Sequence, residues 1–172
     1  PEAIGTGAER RQLTVLFADM VGSTTLSTLM DPEDLLDLVS AYHKICREAV
    51  ERHGGTVVNL IGDGMLAFFG YPVAAENDAE RAIEAGLRIV QEVAQISTPA
   101  GTPLETRCGV ASGLTVVGNL RGSEVDGYGE IPNLAARIQS VAAPRQVAIS
   151  DETKAIAGHA FDCAELGLLS LK

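Results

Sequence analysis

A chain of 172 residues with 46% hydrophobic and 21% charged residues has the composition of one folded α/β-sized domain, which excludes a disordered or collagen-like chain. Thirteen basic against twenty-three acidic residues leave a net charge of −10, which repels polyphosphate backbones and anionic lipid surfaces at long range. Nucleic acid and direct membrane contact are therefore set aside as partners, while a small anionic substrate stays compatible, because a local pocket of metal ions and backbone N–H groups outweighs the mean field.

Cys46, Cys108 and Cys163 lie tens of residues apart without CxxC spacing and read as free thiols in a reducing cytosol. No apolar run approaches the roughly twenty residues of a membrane-spanning helix, and no signal segment opens the chain. These features predict a cytoplasmic domain. A chain that starts at Pro1 instead of Met is expected to be part of a longer protein whose regulatory or membrane-attached modules lie elsewhere.

Residues 1–9 are short, Gly-containing and aperiodic, which predicts a linker tail, with the domain spanning 10–172. Leu13 to Ala18 is a β-branched and aromatic run, as in a strand buried on both faces, and Asp19 stands at its C-terminal edge. The turn Met20-Val21-Gly22-Ser23-Thr24 leads into a helical stretch, and Asp31-Pro32-Glu33 restarts a helix with a capping residue and a first-turn proline. Leu35, Leu38, Val39, Tyr42, Cys46 and Ala49 keep helical spacing until His53-Gly54-Gly55.

Thr56 to Ile61 and Met65 to Phe69 are strand-like runs joined through Gly62-Asp63-Gly64, a hairpin signal that puts Asp63 at a turn. Ala74 to Ile96 reads as an amphipathic helix. Glu105 to Ala111 and Leu114 to Asn119 read as a second pair of strands. Ile131 to Val141 reads as a helix with Leu134, Ile138 and Val141 inward, followed by a strand at Val147 to Ser150, a short helix after Asp151 and two strand-like pieces between Phe161 and Lys172.

This order predicts an α+β fold, a mixed sheet with helices packed on one face and related to the ferredoxin-like plan. A doubly wound sheet is disfavoured, because strands do not alternate singly with helices and no GxGxxG follows the first strand.

Three groups carry chemistry. If the hairpin lies beside the first strand, Asp19 and Asp63 converge and repel, a cost that a divalent cation between them relieves, and hard carboxylate oxygens with substrate phosphates suit Mg²⁺ or Mn²⁺. The backbone of Val21, Gly22, Ser23 and Thr24, turning from strand to helix, offers N–H groups to a phosphate without a Walker lysine. Asn133 and Arg137, at i and i+4, place an amide and a guanidinium on one ridge, suited to a ribose and to a phosphorus centre gaining negative charge. Taken singly these also fit a helix cap, a turn aspartate and a solvated helix face.

FADMVGST (Phe17 to Thr24), GDGMLAFFG (Gly62 to Gly70) and GEIPNLAARIQ (Gly129 to Gln139) resemble, in order and spacing, the three signature regions of class III adenylyl and guanylyl cyclases. The resemblance runs from Arg11 to Lys172. It implies cyclisation of ATP to 3′,5′-cyclic AMP with release of pyrophosphate, two Mg²⁺ or Mn²⁺ ions per site, and a role in signal transduction. In that pattern Asp19 and Asp63 are metal ligands, joined by the Met20 carbonyl. Asn133 orients the ribose and Arg137 stabilises charge on the α-phosphate.

The same resemblance implies that Asp126 and residue 59 read the base. Asn59 stands where adenylyl cyclases usually carry lysine, and guanylyl cyclases usually carry Glu and Cys at these two positions, so ATP is favoured over GTP. Lys172 matches a lysine on the terminal phosphate, Leu114 stands where some relatives have a triphosphate-binding arginine, and the family's last strand is missing. It also implies a homodimer with each site shared between protomers. The alternatives are a guanylyl or relaxed-specificity cyclase, and a non-catalytic nucleotide-binding or dimerisation module.

Overall fold

The computed structural model describes residues 8–118 and 129–167 and the backbone of 126–128. In chain order the elements are β1 (Glu9–Met20), α1 (Ser23–Leu29), α2 (Pro32–Arg52), β2 (Thr56–Ile61), β3 (Gly64–Phe69), α3 (Asp78–Val93), β4 (Thr106–Gly118), β5 (Asp126–Tyr128), α4 (Glu130–Val141), β6 (Val147–Ile149) and α5 (Asp151–Ala157). One mixed sheet has the order β2-β3-β1-β4-β5, with β6 parallel to β4 and the remaining pairs antiparallel. The fold is the expected α+β arrangement. β2 and β5, at opposite ends of that order, touch each other, so the sheet curls.

β1 is the central strand, and its side chains divide by parity. Leu16, Ala18 and Met20 enter one core with Leu38, Tyr42, Cys46 and Ala49 of α2 and with Ala82, Ala85 and Ile89 of α3. Leu13, Val15 and Phe17 enter a second core with Ala135 and Ile138 of α4. Because both faces are covered, the run reads as unbroken hydrophobicity instead of alternation. The two long helices form the layer on one face, and α4 adds cover on the other.

Gly109 allows that cover. A Cβ there would lie 2.3 Å from the Ala135 carbonyl oxygen and 2.4 Å from the Gln139 nitrogen, so α4 rests on bare backbone.

Three expectations are corrected. The paired strands read at Glu105–Ala111 and Leu114–Asn119 are one strand, β4, of 13 residues. Ser112-Gly113 does not turn: both pair with β1, at Thr14 and Leu13, and the Ser112 hydroxyl lies 2.9 Å from that of Thr14. Gly113 is small because a Cβ would meet Ile131 Cδ1 at 2.5 Å, a tertiary demand that imitates a turn signal. The same ladder extends β1 back to Glu9, since Glu9 to Gln12 pair with Leu114 to Val117.

α3 begins at Asp78, not Ala74, because the Asp78 carboxylate accepts from the Ala75 N–H at 2.8 Å and holds the preceding segment as a turn. Residues 161–167 form no strand; Phe161 packs on Ala79, Ile83 and Ala157. Local β-propensity without a ladder partner does not make a strand. Residues 168–172 lie outside the described residues.

Candidate active site

Strand register brings the first two carboxylates together. Asp19 pairs with Gly64 of β3, and the β2–β3 hairpin closes at Ile61 opposite Gly64, which leaves Gly62-Asp63 as a two-residue loop. Gly62 has φ 57°. Asp63 is thus held at the tip beside the end of β1, and both carboxylates are partly buried.

The main chain around Asp19 is pinned from β4. Thr106 Oγ1 donates to the Asp19 carbonyl at 2.6 Å, and the Val21 N–H donates to the Glu105 carbonyl at 2.8 Å. Burial, then the charge of Asp63, push the Asp19 carboxyl up from 3.8 to about 6, while Arg107 pulls in the opposite direction. Asp19 Oδ1 is buried without a hydrogen-bond partner among the described residues.

A cavity of about 230 Å³ opens at this point, lined by Asp19, Met20, Val21, Gly22, Arg107, Gln139 and Ser140. Arg107 lies directly across the β1–β4 ladder from Asp19. Its Nε is buried and unpartnered among the described residues. The cavity therefore joins carboxylate and guanidinium, a combination suited to a cation and a polyanion together.

The donor set fits Mg²⁺ or Mn²⁺. Two converging carboxylates, one with an orphaned buried oxygen, are opposed by Arg107 but not balanced by it, since the Asp19 carboxyl stays raised, and among the described residues no group of three His, Cys, Asp or Glu forms a closed metal cage. Mg²⁺ commonly binds through one or two carboxylates, with water and substrate phosphate completing the shell. The Met20 side chain is buried in the core, on the opposite side of the strand from Asp19, so only its backbone carbonyl is offered to a metal.

Gly22 turns the chain with φ 73° into α1, which starts at Ser23 and carries Thr24. Asn133 is exposed and Arg137 is half-buried on α4; Arg137 Nε reaches the Asn133 carbonyl at 3.5 Å, and Ser140 Oγ donates to the Arg137 carbonyl at 2.6 Å. Neither Asn133 nor Arg137 lines the Asp19 cavity. Asn59 is exposed on β2 at a register shift. Asp126 opens β5 opposite Gly118, its side chain lying outside the described residues, as does all of Lys172. The strands that carry Asn59 and Asp126, β2 and β5, are in contact.

Arg107 and Gln139 line this cavity although no sequence motif singles them out, and Leu114, at the position where some relatives have a triphosphate-binding arginine, is 67% exposed and outside the cavity lining. An arginine inside an apolar strand, facing the carboxylate strand, was the available signal, but it requires the β1–β4 register.

The chain matches the family model described as Adenylate and Guanylate cyclase catalytic domain over residues 7–172. Adenylate cyclase 1 of Rhizobium meliloti (strain 1021) is 30% identical over 80% of this chain and 22% of its own length. The adenylyl cyclase CyaB from P. aeruginosa superposes with a TM-score of 0.87 at 30% identity, covering 95% of this chain and 89% of that one. The guanylyl cyclase Cya2 superposes with a TM-score of 0.83 at 31% identity, with the same two coverages, 95% and 89%. The chain spans only 16%, 22% and 37% of the length of three curated relatives it matches.

Proposed function

Since the chain belongs to the family of adenylate and guanylate cyclase catalytic domains, we propose that it converts ATP to 3′,5′-cyclic AMP and pyrophosphate at sites shared between two copies. The observation that carries this reading is the convergence of Asp19 and Asp63 at one sheet end, beside a cavity that Arg107 also enters.

In this reading the ribose 3′-oxygen attacks the α-phosphorus and pyrophosphate leaves. Asp19, Asp63 and the Met20 carbonyl would hold two Mg²⁺ or Mn²⁺ ions, whose charge would favour ionisation of the 3′-hydroxyl and offset that of the polyphosphate. Arg107, the backbone of Val21 to Thr24 and Lys172 hold the phosphate chain. Asn133 orients the ribose, and Arg137 donates to the α-phosphate oxygens as their charge grows. Asn59 and Asp126 read the purine edge, a division supported by the contact of their two strands.

A separation supports the dimer. Asn133 and Arg137 do not line the Asp19 cavity of their own chain, and an isologous pair of chains would set each α4 ridge against the partner's carboxylates. The described residues contain no helix long and apolar enough to cross a membrane. Regulatory domains belong to the rest of a longer protein, in keeping with the fraction of its relatives that this chain spans.

A second reading, GTP as substrate, rests on Asn59 being an uncharged exposed amide in place of lysine, able to donate and accept toward either purine. Incubation with Mn²⁺ and equimolar ATP and GTP, with chemical identification of the product and an Asp63→Ala control, tests both. Cyclic AMP in excess supports the proposal. Cyclic GMP in excess moves the assignment to guanylyl cyclase, and no product above the control removes catalysis from the reading.

A further inference from the structure

Asp19 and Arg107 project from the sheet face that α4 covers. Each lies two residues along its strand from Phe17 and Gly109, which pair with each other beneath the helix, and side chains two apart on a strand share a face. A Cβ on Gly109 would stand 2.4 Å from the Gln139 nitrogen and 2.8 Å from its Cα, so the last turn of α4 sits directly on bare strand. That turn is thereby set at the end of the sheet where the carboxylates meet.

Gln139 is only 8% exposed, yet it lines the Asp19 cavity beside Arg107. A primary amide carries two N–H donors and a carbonyl acceptor, and burying them is costly unless they find partners. Asp19 Oδ1 and Arg107 Nε are also buried, and both are unpartnered among the described residues. Three polar groups from β1, β4 and α4 therefore converge on one cavity, two of them with hydrogen-bonding capacity unused. The same helix carries Asn133 and Arg137 elsewhere on its surface. Arg137 and Gln139 are separated by about 200° round the axis, and neither Asn133 nor Arg137 lines the cavity.

From this division we propose that Gln139 is a further phosphate-binding residue: its side-chain N–H donates to a phosphate oxygen in its own chain's cavity beside Arg107, while Asn133 and Arg137 of that helix act in the partner's site. The proposal deepens the cyclase reading and rests on it. An amide adds a donor for the phosphate without adding charge around Asp19, Asp63 and Arg107. One short helix then serves both sites of the dimer, through different faces.

Gln139→Leu removes the amide at similar size, and Gln139→Met keeps the unbranched shape. Both should weaken binding of Mg²⁺-pyrophosphate about tenfold in calorimetry, the order for one hydrogen bond to a charged group. Both should raise KM for ATP by a similar factor with kcat little changed. Mixed chains separate contact from packing. At ATP well below KM, equal amounts of Gln139→Leu and Arg137→Ala should reach about a quarter of wild-type activity, above either variant alone, because half of the random dimers hold one site intact in every residue. Gln139→Leu with Asp19→Ala should not exceed Gln139→Leu alone, since amide and carboxylate belong to the same half-site.

A substitution that merely displaced the helix would carry Arg137 with it and give no recovery with Arg137→Ala. That result, recovery with Asp19→Ala instead, or wild-type pyrophosphate affinity in both Gln139 variants overturns the proposal while the cyclase reading stands. No recovery in the control mixture of Asp19→Ala and Arg137→Ala, or equal pyrophosphate binding by wild type and Asp63→Ala, overturns the reading of a shared metal site and the proposal with it.

Discussion

Arg107 faces Asp19 across the β1–β4 ladder, while Gly64, the residue after Asp63, faces Asp19 from the β3 side. A central strand thus ends in a carboxylate flanked by one negative and one positive neighbour. The balance is uneven: burial and Asp63 raise the Asp19 carboxyl to about 6 against the pull of Arg107.

Removing either carboxylate should remove the metal site. Asp19→Ala or Asp63→Ala should lower kcat by about 10³-fold or more, the order expected for several kcal/mol of lost charge stabilisation. Mixing equal amounts of Asp19→Ala and Arg137→Ala chains should recover about a quarter of wild-type activity, since half of randomly paired dimers carry one intact site. A steady-state assay of the mixture checks this, and no recovery would argue for sites built within one chain.

The raised Asp19 carboxyl has a definite sign. The folded chain binds that proton more tightly than the unfolded chain, so this group's contribution to metal-free stability falls as pH rises from about 4 to about 6. Asp19→Asn removes the buried charge. It should raise the metal-free Tm at pH 7.5 by about 2–4 °C, corresponding to on the order of 1 kcal/mol after solvent screening of a partly exposed group. It should leave Tm unchanged at pH 3.5, where the carboxyl is protonated, and calorimetry at the two pH values reads the difference. Mn²⁺ affinity of the wild type should fall below pH 6 for the same reason.

Gly109→Ala places a Cβ against the α4 backbone, 2.3 Å from the Ala135 carbonyl oxygen. The helix must shift, at about 1–3 kcal/mol, and it carries Asn133 and Arg137. Denaturant unfolding should show the loss, and kcat should fall further than the remaining folded fraction explains.

Arg145 takes φ 66°, a left-handed conformation in the exposed turn between α4 and β6. Its N–H donates to the Thr106 carbonyl at 2.9 Å, which holds the turn in place. Arg145→Gly keeps that bond and relieves about 1 kcal/mol of backbone strain. Tm should rise by about 2–4 °C with activity unchanged, as a thermal melt and a rate assay would show.

Elements with local signals were legible from residues alone. The helix ended by His53-Gly54-Gly55 and the loop Gly62-Asp63 have boundaries written in propensity, spacing and turn chemistry, and α2 and the β2–β3 hairpin stop where those signals stop, whereas Leu13 to Ala18 marks only the middle of β1. The candidate carboxylates were legible for the same reason, as charges placed at strand and turn ends. Non-local facts were not. Gly113 looks like a turn and is an opening for Ile131; Arg107 looks like any strand arginine until β4 is laid against β1. Whether Asp19 and Asp63 meet, which arginine joins them, and that Gln139 lines the Asp19 cavity from α4 depend on ladder register and helix packing between segments tens of residues apart. A periodic pattern names the face a side chain takes, and only the folded chain decides what stands opposite it.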